Sequence, residues 1–198
     1  MVIRITFWYH KRMNIEVEIK MKVANREEVK EKITKMGKLI KAITQIDEYY
    51  VPIHRDFFAH EPQPIEHLRI RTNPDKTVFE YTRSINMKAD GDYDYAEEYE
   101  TEILNVEEFR KTLQFLDFKK VVTVEKYREY WQCGNIEVAL EDVKDLGFFI
   151  EAEAKGDFKD NAEAKKACID FLASLGFKDV ESTQIKHGYP QFFIEGKY

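Results

Sequence analysis

Glycine is scarce in this chain, with eight in 198 residues, and none of them sits in a glycine-rich phosphate loop. That argues against P-loop and dinucleotide-binding units, whose tight turns and close backbone approach to phosphate need glycine. There are two cysteines, Cys133 and Cys168, at a separation that fits neither a zinc site nor a disulfide framework. Their pattern favours a reducing, cytoplasmic setting. No apolar run approaches the roughly 18 residues of a membrane span. The histidines His10, His54, His60, His67 and His187 lack metal-ligand spacing and read as surface or loop residues. The opening MVIRITFWYHKR is apolar and basic, but Arg4 breaks it and no small-residue cleavage site follows. Residues 1–12 therefore read as an N-terminal extension, and 13–198 as one domain.

Charge is what the chain has in excess. Charged residues make up 34% of the sequence, against about 25% in a typical domain, and the net charge is -6. The acidic balance argues against nucleic acid as the main partner. Hydrophobic residues at 43%, with 14% aromatic, suffice for a packed core.

The charges follow the period of a strand. In NIEVEIKMKV (14–23), Ile15, Val17, Ile19, Met21 and Val23 alternate with Glu16, Glu18, Lys20 and Lys22. Arg69 and Arg71 share one parity, with Leu68 and Ile70 on the other. Glu98, Glu100 and Glu102 share a parity, as do Lys126 and Arg128, and Glu151 and Glu153. Further strands are expected over 39–51, 77–84 and 135–143, with hairpin turns at Asn73–Lys76 and around Cys133–Asn135. Helices are expected over 25–36, 106–117 and 160–175, the second with Val106, Phe109, Leu113 and Leu116 on its stripe. The tail reads as irregular. Hairpins dominate over strand–helix–strand alternation, so the class is α+β with a large antiparallel sheet.

A half-wet sheet gives one-sided charge as a matter of course. Here, however, acids and bases sort by strand, and three apolar helix stripes need the apolar face for themselves. A sheet curled into a barrel would then turn the charged face inward. Opposed acidic and basic clusters suit a metal-chelated polyphosphate: guanidinium and ammonium groups hold phosphate oxygens, and grouped carboxylates hold a hard cation.

From Glu16 onward the sequence resembles the CYTH family of triphosphate tunnel enzymes. Glu16-Val17-Glu18-Ile19-Lys20 is similar to its opening E-x-E-x-K. QIDEYYV with Asp47, LRIR with Arg69 and Arg71, the pairs Glu100/Glu102 and Lys126/Arg128, and ALEDVKDLGFFIEAE with Glu141, Gly147, Glu151 and Glu153 follow in the family's order. The resemblance spans about 14–190. It implies an eight-stranded antiparallel closed β-tunnel with helices packed outside, and an enzyme using Mg2+ or Mn2+ on a triphosphate such as ATP or polyphosphate. Glu16, Glu18, Glu100, Glu102, Glu151 and Glu153 would form the metal side. Lys20, Arg69, Arg71, Arg83, Lys126 and Arg128 would hold the triphosphate, with Glu16, Glu18 and Lys20 as catalytic residues. The resemblance is closest to the class IV adenylate cyclase branch. Triphosphatases of tripolyphosphate, thiamine triphosphate or nucleotides are the alternative, and a binder without turnover is a third. A homodimer is compatible with each reading.

Three features depart from the family pattern. Arg83 stands for a lysine, Glu141 for an aspartate, and Ala96 lies where an arginine is expected. Lys186 and Tyr189, in a loosely matching tail, are placed near the tunnel mouth.

Overall fold

The computed structural model describes residues 15–59 and 64–195. The proposed extension, His10 and His60 lie outside them. Among the described residues, nine strands form one antiparallel sheet in the order β1-β6-β5-β4-β3-β7-β8-β9-β2. They are β1 (Ile15–Glu16), β2 (Glu18–Lys22), β3 (Lys38–Pro52), β4 (Glu66–Thr72), β5 (Thr77–Ile85), β6 (Tyr95–Glu102), β7 (Phe118–Cys133), β8 (Ile136–Val143) and β9 (Gly147–Ala154). The first two are pieces of one segment divided at Val17, so eight strand segments make the sheet. One piece pairs with β6 and the other with β9, at opposite ends of the order.

Five helices among the described residues accompany the sheet: α1 (Arg26–Met36), α2 (Val106–Phe115), α3 (Asn161–Ser174), α4 (Val180–Thr183) and α5 (Tyr189–Glu195). Three helices start at side-chain caps: Asn25 accepts from the Glu28 amide, Asn105 from that of Glu108, and Asp160 from that of Glu163. Gly37 ends α1 because no side chain fits there; a Cβ would lie 2.3 Å from Cys133 Sγ. Gly176 follows α3 at φ +100°, a left-handed position that glycine takes without strain.

The helices cover the apolar side of the sheet. Val29 and Ile33 of α1, with Cys168, Phe171 and Leu172 of α3, pack on Ile19, Met21, Val138, Leu140, Ile150 and Ala152. Leu113 of α2 joins Tyr50, Val51, Leu68 and Ile70, with Phe79, Val106 and Phe109 beside them. Leu116 does not complete the expected stripe: it caps α2 and is 61% exposed. The tail is also more ordered than expected. It forms α4 and α5, and Tyr189 packs with Tyr49, Val124 and Phe149 in a third apolar cluster. No helix among the described residues is long and apolar enough to cross a membrane.

Candidate functional site

The other side of the sheet faces a cavity of about 330 Å³, lined by residues from β1, β2, β3, β4, β5, β6, β7, β8 and β9. Strand parity delivers the charges to it. The turn at Asn73–Lys76 sets Thr72 opposite Thr77, so Arg69 faces Glu80, and Glu80 in turn faces Glu100 across β6. On the far side of the sheet, Lys20 lies opposite Glu151 and Glu18 opposite Glu153.

The basic groups are held in a buried lattice with acids. Arg71 donates to both carboxylate oxygens of Asp47, at 2.8 and 3.1 Å, and its Nη1 lies 3.3 Å from Glu80. Arg69 pairs with Glu80 and donates to the Tyr49 hydroxyl at 3.1 Å. Lys126 lies 3.4 Å from Asp47 and 3.3 Å from Glu141. Arg128 Nε lies 2.8 Å from Glu141 and its Nη2 pairs with Glu151, which also lies 2.9 Å from Lys20. Asp47 and Glu141 are fully buried and Glu80 is 1% exposed. Burial alone would raise the Asp47 and Glu80 carboxyls, but the facing guanidinium groups outweigh it; Asp47 ends well below the usual range and Glu80 at about 2.

The acids of the other side lack such cover. Burial, with repulsion from Glu151, pushes Glu18 up to about 7; burial, with repulsion from Glu80, does the same to Glu98. Burial and the carboxylates of Glu18, Glu98 and Glu153 push Glu16 well above the ordinary value. Glu153 is also raised, by burial first, although Lys155 pairs with it. Carboxylate oxygens of Glu80, Glu98 and Glu100 lie within 4.8 Å of one another. The chemistry of this donor set, all hard oxygen, with Glu80 the member paired to guanidinium groups, fits a divalent ion of the magnesium or manganese kind.

Of the residues singled out in the sequence, Glu16, Glu18, Lys20, Arg69, Arg71, Glu100, Lys126, Arg128, Glu151 and Glu153 line the cavity. Two do not. Arg83 shares the outward parity of Phe79 and Tyr81 and is exposed, opposite Glu66 and Glu97; Thr82 and Ser84 face inward in its place. Glu102 lies beside Val78 at the end of β6, one row past Glu100, and is exposed. Glu151 lines the cavity but stands on the basic side, its carboxylate held low against burial by Lys20 and Arg128. Ala96 does face the cavity, buried, opposite Glu16 and Ser84.

Glu80 and Glu98 are the acids that the motif alignment passes over. Counting pairs outward from the 73–76 turn finds Glu80; the shared parity with Glu100 finds Glu98. His67 departs from the expectation of a surface or loop residue: it lies on β4 and lines the cavity between the rings of Tyr49 and Phe58. Burial, with Arg69 and Lys20 nearby, lowers it to about 3, so the ring is neutral. His187 lines the cavity as well, while His54 is exposed. Tyr189 and Lys186 of the tail reach the lining: the Tyr189 hydroxyl donates to Glu141, and Lys20 Nζ sits 4.4 Å from its ring centre. Cys133 and Cys168 are buried, and burial raises both thiols, Cys168 to about 12.

Among known proteins, a Methanocaldococcus jannaschii protein named "Putative adenylate cyclase" is 33% identical over 163 residues, 81% of this chain and 89% of that one. The solved structure of the PH1819 protein of Pyrococcus horikoshii superposes with a TM-score of 0.75 at 27% identity, covering 92% of this chain and 99% of that one. A Hippeastrum protein, described as an adenylyl cyclase homologue with a dominant triphosphatase activity, shares the fold at a TM-score of 0.61 and 15% identity, over 92% and 97% of the two chains. The CYTH domain family model matches residues 14–189, and the chain belongs to that family.

Proposed function

We propose that this protein is a divalent-metal-dependent enzyme that cleaves a triphosphate, with conversion of ATP to cyclic AMP and pyrophosphate as its reaction. The observation that carries the reading is the division of one cavity into a basic lattice and a group of carboxylates left short of cations. A linear polyanion chelating a metal complements both at once. The Methanocaldococcus relative, by its name, supports the cyclase form.

The cavity reads as a closed tunnel. The two ends of the sheet belong to one segment, and the Val17 carbonyl between them accepts from the Ala154 amide at 3.0 Å. Arg69, Arg71, Lys126, Arg128 and Lys20 would hold the phosphates, the guanidinium groups two oxygens at a time. Their acidic partners keep them ordered before substrate arrives, so little reorganisation is needed on binding. Glu16, Glu18, Glu98, Glu100 and Glu153 would hold Mg2+ or Mn2+, with Glu80 at the border of the two groups. Bound there, the ion supplies positive charge against that building on the phosphate oxygens. Lys20 stands nearest the junction, paired with Glu151 and two residues from Glu18, so it would touch the phosphoryl oxygens beside the carboxylates.

In the cyclase reaction the ribose 3′-oxygen bonds to the α-phosphorus, the bond to the pyrophosphate oxygen breaks, and the hydroxyl proton leaves to base. In a triphosphatase, a water oxygen bonds to the γ-phosphorus, the bond from that phosphorus to the bridging oxygen breaks, and orthophosphate forms as the diphosphate part leaves. The second reading has its own support: seven of the nine strands place charged side chains in the lining, which suits a naked polyphosphate, and the Hippeastrum protein carries that activity by description. Incubation with ATP, tripolyphosphate and thiamine triphosphate, with Mg2+ or Mn2+ and with chelator, tests both. Cyclic AMP with pyrophosphate supports the cyclase; orthophosphate supports the triphosphatase. Tight binding without products leaves a binding protein, and no binding of any triphosphate overturns the proposal.

A further inference from the structure

Between β5 and β6, residues 86–94 form a strap whose Asp92, Tyr93 and Asp94 line the cavity, and the chain fastens it at several points. Lys88 and Gly91 close a turn, with the Lys88 amide donating to the Asp92 carbonyl at 2.7 Å and the Gly91 amide to Lys88 at 3.0 Å. Lys165 of α3 pairs with Asp92 and donates to the Tyr93 carbonyl at 3.4 Å. Lys186 donates to the Asp90 carbonyl at 3.2 Å and to its carboxylate at 3.0 Å. Ties to two elements distant in sequence are more than a hairpin connection needs. What they hold in place is the backbone of Tyr93, whose side chain lines the cavity.

Two other tyrosines of the lining have their hydroxyls engaged, and a third has a cation against its ring. Tyr49 accepts from Arg69, Tyr189 donates to Glu141, and Tyr130 has the Arg128 guanidinium 4.9 Å from its ring centre. Among the described residues, no hydrogen bond engages the Tyr93 hydroxyl. The charges acting on it are those of Glu18, Lys20, Glu16 and Glu151, which places it at the junction of the carboxylates and the basic lattice. Burial and Glu18 keep it a phenol, and therefore a donor. A neutral donor at that junction, held by a fastened strap, is arranged to donate to an oxyanion.

We infer that Tyr93 is a substrate-contacting residue, its hydroxyl donating to a phosphate oxygen of the bound triphosphate next to Lys20. This rests on the triphosphate reading above. The test compares the full-length protein with Tyr93→Phe, which removes one oxygen, using calorimetric binding of tripolyphosphate and turnover of the triphosphates with Mn2+. Loss of one hydrogen bond to a charged acceptor is expected to cost roughly 10-fold or more in kcat/KM or in affinity. The melting temperature without ligand stays at that of the parent, because the hydroxyl has no partner to lose. A variant that binds and turns over as the parent does overturns the inference and leaves the triphosphate reading standing. A variant whose loss is matched by a lower melting temperature assigns Tyr93 a structural role and overturns it too. Failure of the parent itself to bind ATP, tripolyphosphate and thiamine triphosphate alike removes both readings.

Discussion

Asp47 and Arg71 lie directly opposite one another on β3 and β4 and make two hydrogen bonds at 2.8 and 3.1 Å, with Lys126 a further 3.4 Å from the same carboxylate. One buried acid thus offsets several cations that the proposed substrate would otherwise have to meet uncompensated. Asp47→Asn keeps the shape and removes the charge. Breaking such a buried pair is expected to destabilise the protein by about 3–5 kcal/mol. The same change leaves Arg71 and Lys126 in excess positive charge, so tripolyphosphate should raise the melting temperature of the variant more than that of the parent. Thermal melts with and without tripolyphosphate measure both effects. Equal ligand shifts in the two proteins would show that Asp47 does not hold the basic lattice in balance.

A second prediction concerns pH and metal together. Glu18 and Glu98 titrate near 7 in the folded protein against an ordinary 4.5, with Glu16 and Glu153 also raised. Between those values the folded state binds more protons than the unfolded one. Stability from these groups is therefore full below about 4.5 and is lost as pH rises through about 7. Glu80, lowered to about 2, and Asp47 act in the opposite sense: their stability is present above the ordinary carboxylate range and is lost only as pH falls through their folded values. Metal-free protein should thus lose melting temperature from pH 5 to pH 8, and Mn2+ should restore most of it at pH 8 and little at pH 5. Binding should also release protons, measurable by titration calorimetry in buffers of different ionisation enthalpy. A metal effect independent of pH would argue against these carboxylates as ligands.

The third prediction separates register from motif order. Arg83 and Glu102 fall in the family's sequence pattern, but their side chains lie on the outward parity and past the end of the lining row. Arg83→Ala and Glu102→Ala should change kcat/KM by no more than about 2-fold. Arg69→Ala and Glu98→Gln should each lower it by about 100-fold or more, the size expected for groups that stabilise developing charge. Steady-state assays on the same triphosphate decide it; equal losses at Arg83 and Arg69 would return the phosphate contact to Arg83.

That contrast also marks where the sequence is legible. Alternation in 14–23 and 67–72 gives the strands and their facing, and apolar stripes such as Val106, Phe109 and Leu113 give the helices, because both signals are local. The 73–76 turn contains enough to pair Arg69 with Glu80, since a four-residue turn fixes the ladder beyond it. What local pattern cannot give is how far each strand runs along the cavity. Glu100 and Glu102 look alike in sequence, and the row shared with Val78 separates them. Nor does alternation show that the first segment divides at Val17 to pair with two different strands, or that Tyr189, in a tail without strong periodicity, turns in to meet Glu141. Those are outcomes of packing between distant elements.

Tyr189 supplies the last prediction. Its hydroxyl donates to Glu141, the fully buried carboxylate facing Lys126 and Arg128, and Lys20 Nζ lies over its ring at 4.4 Å. Tyr189→Phe keeps the ring and its contact with Phe149, and removes one of the donors to Glu141. The cost in stability should be about 1–3 kcal/mol, the usual range for losing a hydrogen bond to a charged group. Tyr189→Ala also removes the ring over Lys20 and opens the apolar cluster that seats α5, so it should cost more, about 3–5 kcal/mol. If the tail only covers the end of the sheet, both variants lose stability and keep the parent's affinity for tripolyphosphate. Because Glu141 anchors Arg128 and Lys126, however, Tyr189→Phe should also weaken that affinity by roughly 3- to 10-fold, as a loosened carboxylate lets its basic partners shift. Chemical denaturation and titration calorimetry on the two variants separate these outcomes; unchanged affinity in Tyr189→Phe would show that the basic lattice holds its geometry without the tail.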